Sequence, residues 1–122
     1  MTFKGKSDES REIVSRLFGE LKYEEIPISV IEATKAQIIN LLSVAIGGSM
    51  ADGISELIGL LKGWGGRRES TVIAYGYKLP APAAAQANAS MAHALDFDDT
   101  YNRMTLHVSV VTAPLLLQWL SL

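Results

Sequence analysis

The sequence has no cysteine, which excludes disulfides, thiolate nucleophiles and cysteine-ligated zinc. It has no basic excess either. Eleven Lys and Arg stand against 13 Asp and Glu, for a formal net charge of -2. With a pI near 5.6, there is no positive field to hold nucleic acid or anionic lipid. Long blocks of like charge are missing, so acidic or basic tails are not expected. Met1 to Ser10 is polar and lacks the apolar centre of a signal peptide. The longest apolar stretches, Ile38 to Ile46 and Val108 to Leu117, fall short of the ~20 residues that span a bilayer. These absences predict a soluble, cytoplasmic chain with neither a nucleic-acid nor a membrane partner.

What is present is apolar. Of the 122 residues, 48% are hydrophobic and 20% charged, rich for a free-standing domain that buries roughly two thirds of its unfolded surface. The run Leu115-Leu-Leu-Gln-Trp-Leu-Ser-Leu122 carries no closing cap. Both features suggest a segment of a larger protein, or a chain covered by a partner through exposed apolar helices, most simply as a homodimer.

Periodicity predicts an all-α piece with at most one short strand, within a single incomplete helical domain spanning 1–122. Ser7 or Asp8 is suited to cap a first helix with Ile13, Val14, Leu17, Phe18 and Leu21 on one face. Pro27 breaks the pattern. Ser29 is the expected cap of a second helix, where Ile31, Thr34, Ile38, Leu41, Leu42 and Ala45 share a face and Gly47-Gly48 ends the run. A third helix is expected from Asp52 to Trp64, with Ile54, Leu57, Ile58 and Leu61 inward. Ser70 to Gly76 is the plausible strand, without an evident partner, and Lys78 to Pro82 reads as a rigid turn. Ala83 to Ala94 is the next helix, Asp96 to Thr105 a loop, and a last helix starts near Ser109 or Thr112 with Pro114 inside it. Trp64 and Trp119 are expected in the core, and Arg67-Arg68 in a solvated turn.

The chemistry concentrates late in the chain. Asp96, Asp98 and Asp99 lie within four positions, a crowding that costs of order 1 kcal/mol per close pair. Helix caps and a solvated loop are the ordinary reading for such residues, with Thr100 as another cap. Here they follow a nearly uncharged stretch from Leu79 to Leu95, which favours a place where helices converge and where a carboxylate serves as an acid or base. His107, just ahead of a helix, is positioned to face the same cleft as Asp96; the residue type exchanges protons near neutral pH. His93, one turn before the acidic loop, is suited to pin that loop by hydrogen bonding.

Two other readings start from the same letters. Asp96-x-Asp98-x-Thr100 matches the pattern of Mg²⁺-dependent phosphoryl-transfer enzymes of the haloacid dehalogenase type, with Asp96 as nucleophile and Asp98 as proton shuttle. That chemistry needs the first Asp at the end of a buried parallel strand, whereas Met91 to Leu95 continues a helical pattern. A metal on Asp98 and Asp99 finds no further ligands nearby in sequence, so no metal is assigned. The glycines at 47, 48, 63, 65 and 66 fit no phosphate-loop pattern and read as helix stops.

From Gly76-Tyr-Lys-Leu-Pro-Ala-Pro through Gln86-Ala-Asn-Ala-Ser-Met-Ala-His93-Ala-Leu-Asp96-Phe-Asp-Asp-Thr100 to His107-Val-Ser109, the chain resembles the MmgE/PrpD family. That family includes 2-methylcitrate dehydratase and cis-aconitate decarboxylase. Tyr23-Glu-Glu-Ile-Pro27 and Ser43-Val-Ala-Ile-Gly-Gly48 agree with it. The resemblance covers most of residues 10 to 120 and corresponds to the family's N-terminal part. It implies a helical segment of a large helical domain, with a smaller lid domain beyond this segment. It also implies cofactor-free lyase or isomerase chemistry on di- and tricarboxylates. By the same resemblance Asp96, Thr100 and His107 line the active site. For an elimination the expected roles are His107 as acid or base, Asp96 as its partner or an alternative base, and Thr100 as a hydroxyl on a substrate carboxylate, with His93, Asp98 and Asp99 structural beside them. Val108 stands where family members usually have proline, and Asn40 where aspartate is common. A non-catalytic helical interaction module is the alternative outside enzymology.

Overall fold

A computed structural model describes residues 11–16, 19–101 and 106–120, with residues 117–120 as backbone alone. Residues 11–16 are helical. A 3-10 turn, Tyr23–Glu25, precedes helices α1 (Ile28–Gly48) and α2 (Ile54–Gly63). Strands β1 (Ser70–Val72) and β2 (Tyr77–Leu79) follow, then helices α3 (Ala81–His93) and α4 (Val108–Leu120). The architecture is mostly helical, with one small sheet. The chain divides into two compact units, Met1–Thr34 and Lys35–Leu122, with α1 running through the boundary.

In the first unit the expected caps Ser7 and Asp8, and Leu17 and Phe18 of the stripe, lie outside the described residues. Ile13, Val14 and Leu21 are exposed rather than inward. Helix α1 begins one residue before the expected cap, Ser29, because the Pro27 carbonyl accepts the N–H groups of Val30 and Ile31. A flanking residue needs no N–H of its own there, so proline fits. Of its expected inner face, Leu41 and Ala45 are buried, Ile31 and Leu42 half-buried, and Thr34 and Ile38 exposed.

Helix α1 has 21 residues, a mean hydropathy of 1.3 in its most apolar window and one-tenth of that window buried. By length and composition it is long and apolar enough to cross a membrane. Its unbroken apolar run is short because Glu32, Lys35 and the polar Thr34, Gln37, Asn40 and Ser43 interrupt it, yet only Glu32 and Lys35 carry charge. Its C-terminal end is nonetheless built into the core. A Cβ at Gly48 would overlap the carbonyl of Met91 in α3, so the two backbones meet where only glycine fits.

Helix α2 follows Gly53 in a left-handed conformation (φ 84°) and buries Ile54, Ile58 and Leu61, with Leu57 partly packed, as its spacing predicts. Trp64 departs from expectation: it is 68% exposed. At about 100° per residue, position 64 falls roughly 80° off the centre of the buried stripe, just beyond the last turn. The side chain of Trp119 lies outside the described residues. Arg67 is solvated, 3.6 Å from Glu69.

The strand predicted at Ser70 to Gly76 is shorter and has a partner. β1 and β2 pair antiparallel, with Ser70 opposite Leu79 and Val72 opposite Tyr77. The segment read as a turn supplies β2, because three residues of Tyr-Lys-Leu before a proline carry almost no strand signal. A two-stranded ribbon is marginal alone, and α3 completes it. Buried Asn88 accepts the Ile73 N–H at 2.8 Å through Oδ1 and donates to the Thr71 carbonyl at 3.0 Å through Nδ2, acting as a second partner at the edge of β1. The Tyr75 hydroxyl donates to the Ser49 carbonyl at 2.9 Å, tying the hairpin to the chain after α1. Helix α3 buries Ala84, Ala85, Ala87, Met91 and Ala92, small side chains that let it pack against the hairpin, α2 and α4 together. Helix α4 runs through buried Pro114.

Candidate functional site

The site forms where α3 ends. His93 is its last residue, and the Asp96 N–H bonds back to the His93 carbonyl at 3.1 Å. Asp96 takes a positive φ of 56°, a conformation Asp tolerates better than most side chains. The chain then folds back on the helix end. Asp98 comes to rest against the His93 ring, its oxygens 3.1 and 3.2 Å from Nδ1.

The second imidazole arrives from the other side of the loop. The Tyr101 N–H donates to the Leu106 carbonyl at 2.7 Å in an antiparallel bridge, which returns the chain to the site one residue before His107. His107 Nδ1 lies 3.0 Å from Asp98 Oδ2, and Nε2 lies 3.8 Å from Asp96 Oδ1. Buried Nδ1 is off-line for a directed hydrogen bond, so its contact with Asp98 is electrostatic. The rings of His93 and His107 meet edge to face, 4.7 Å between centroids. The Asp98 side chain is 1% exposed, His107 26%, His93 52% and Asp96 81%. A carboxylate this deep needs a polar partner, and the His93 ring lies within hydrogen-bond distance of both its oxygens.

Asp99 does something else. Its Oδ1 accepts the Ser109 N–H at 3.2 Å, at the start of α4, while the Ser109 hydroxyl reaches Gln37 of α1 at 3.5 Å. That bond satisfies one of the free N–H groups of the first turn, and α4 accordingly starts at Val108 rather than at Ser109 or Thr112. Thr100 is exposed, next to Asp99 in the chain.

The structure therefore brings Asp96, Asp98, His93 and His107 together and leaves Asp99 as a cap. One donor atom from each of those four lies within 4.8 Å of the others. Asp98 is nearer His107 than Asp96 is, which the sequence reading missed. Asp98 lies five positions after His93, too far for one helical turn, and the left-handed bend at Asp96 closes the gap. A groove of about 490 Å³ runs between α3 and α4, lined by His93, Ala85, Ala89, Val110 and Pro114 among others. Its walls are apolar. Asp96 stands after a helix, and the sheet among the described residues is an antiparallel hairpin; the strand-end geometry that phosphoryl transfer by Asp96 requires is not what positions it.

Comparison with curated proteins and with solved structures finds no match. The model of the MmgE/PrpD N-terminal domain matches residues 12–119, and the chain belongs to that family.

Proposed function

We propose that this chain is the N-terminal part of a cofactor-independent lyase that removes water or carbon dioxide from a citrate-like di- or tricarboxylate. One observation carries the reading: His107 is held between a buried carboxylate and an exposed one, 3.0 and 3.8 Å away. Both reactions develop negative charge on carbon beside a carboxylate, so the site needs a proton-transferring group and fixed hydrogen-bond donors. His107 takes or returns the proton. Asp98 orients its ring, Asp96 lies at its other nitrogen, and the Thr100 hydroxyl donates to a substrate carboxylate. In dehydration the carbon-bound proton goes to the base, the adjacent carbon–oxygen bond breaks, and the hydroxyl leaves as water once protonated.

The groove is mostly apolar and has no Lys or Arg among its described lining residues. The one Lys or Arg after Lys78 in the sequence is Arg103, which lies outside the described residues. Binding of a polyacid accordingly draws on charge from elsewhere in the polypeptide, and the 122-residue chain alone is expected to turn over poorly. The test uses the protein as expressed whole from its gene. Formation of a carbon–carbon double bond from 2-methylcitrate, or of carbon dioxide from cis-aconitate, supports the reading if Asp96→Asn lowers turnover at least about tenfold. Hydrolysis of phosphate esters with Mg²⁺, and no reaction with either acid, refutes it.

A further inference from the structure

We infer that His93, Asp96, Asp98 and His107 form a binding site for a divalent transition-metal ion of the Zn²⁺ type. Two imidazoles and two carboxylates make a donor set suited to Zn²⁺, Co²⁺ or Ni²⁺ and poorly suited to Mg²⁺ or Ca²⁺, which want oxygen alone. Bonds of about 2.0–2.2 Å place neighbouring ligands on a tetrahedron roughly 3.3–3.6 Å apart. Nδ1 of each ring lies 3.0–3.1 Å from Asp98, a few tenths of an ångström closer than that spacing, while the 3.8 Å contact with Asp96 is made by the opposite nitrogen of His107 and belongs to no shared ion.

The widest donor separation, 4.8 Å, exceeds the ceiling of roughly 4.3 Å set by two such bonds in line. Asp96 has the freedom to close it, since its side chain is 81% exposed. A second observation points the same way. The buried Nδ1 of His107 has no hydrogen-bond partner among the described residues although it lies 3.0 Å from Asp98. The donors also come from separate stretches, a helix end, a bend and the start of another helix, so an ion would lock the loop between α3 and α4.

The binding claim stands apart from the reaction proposed above. If that reaction is right, a bound ion inhibits it, because a coordinated imidazole nitrogen has no lone pair left for a proton.

The chain contains just two histidines, which makes the test direct. Titrating the 122-residue chain with Zn²⁺ should shift the imidazole NMR signals of both residues together and saturate at one ion per chain. Co²⁺ should give the visible absorption of a four- or five-coordinate site. His93→Gln and Asp96→Asn change exposed side chains and should leave the far-ultraviolet circular dichroism intact while weakening Zn²⁺ at least about tenfold. Absence of saturable binding, a shift at one histidine alone, or the parent's affinity retained in either variant would overturn the site.

Discussion

The carboxylate of Asp98 lies 3.0 Å from Nδ1 of His107 with its side chain 1% exposed. This contact joins the two ends of a loop. Asp98 follows the left-handed bend after α3 and His107 precedes α4, so one buried charge fixes both the loop and the imidazole. Asp98→Asn keeps the shape and removes the charge. The rings it faces are part-exposed, so the loss is expected at about 1–3 kcal/mol rather than the larger figure for a fully buried pair. Asp96→Asn, on a side chain open to solvent, should cost less than about 0.5 kcal/mol. Urea denaturation of the two variants checks this, and equal midpoints would contradict it.

Asn88 is the polar group that holds the hairpin to α3. Asn88→Leu keeps the volume roughly constant but takes the side-chain partner from the Ile73 N–H and the Thr71 carbonyl. At about 0.5–1.5 kcal/mol net for each hydrogen bond, a loss of about 1–3 kcal/mol is expected from thermal or urea unfolding. Amide hydrogen exchange at Ile73 should accelerate in step.

Gly48→Ala tests the crossing of α1 and α3. Alanine normally stabilises a helix relative to glycine by roughly 1 kcal/mol. Here the added Cβ meets backbone, the Met91 carbonyl, which cannot swing aside as a side chain would. A net destabilisation of about 1–3 kcal/mol is expected. A variant more stable than the parent would show that the helices do not approach this closely.

Glu56, in the first turn of α2, is held below the usual carboxylate range by its own backbone N–H and by the Ser55 hydroxyl, 2.9 Å from Oε2. The sign follows from linkage: the folded state binds its proton less readily than the unfolded chain does. The contribution is present above the unfolded value and is lost as pH falls through the folded one. Carbon-detected NMR titration should place the Glu56 midpoint below that of the unfolded chain, and Ser55→Ala should raise it.

Much of this was legible in the residues. Spacings of three and four located Ile54, Ile58 and Leu61 on one face, and Gly47-Gly48 ended α1 where expected. The letters from His93 to His107 include the four side chains that the fold brings together. What they hid was local. β2 is three residues long and has no pattern to show. Trp64 is large and apolar but falls just past the buried stripe, and Asp98 displaced Asp96 as the nearer partner of His107 because a single positive φ reversed the chain. None of these follows from periodicity. Each depends on a contact between segments, such as Asn88 on Ile73 or Asp98 on two rings.

Replacing His107 by alanine in the whole protein, with turnover of a citrate-like acid as the readout, tests the central claim most directly. Proton transfer by a positioned side chain is worth about 10²–10⁴-fold, so kcat should fall at least about a hundredfold while circular dichroism and thermal midpoint stay near those of the parent. Turnover within a few-fold of the parent would remove the imidazole from the chemistry and reduce the His–Asp group to a clasp for the loop before α4.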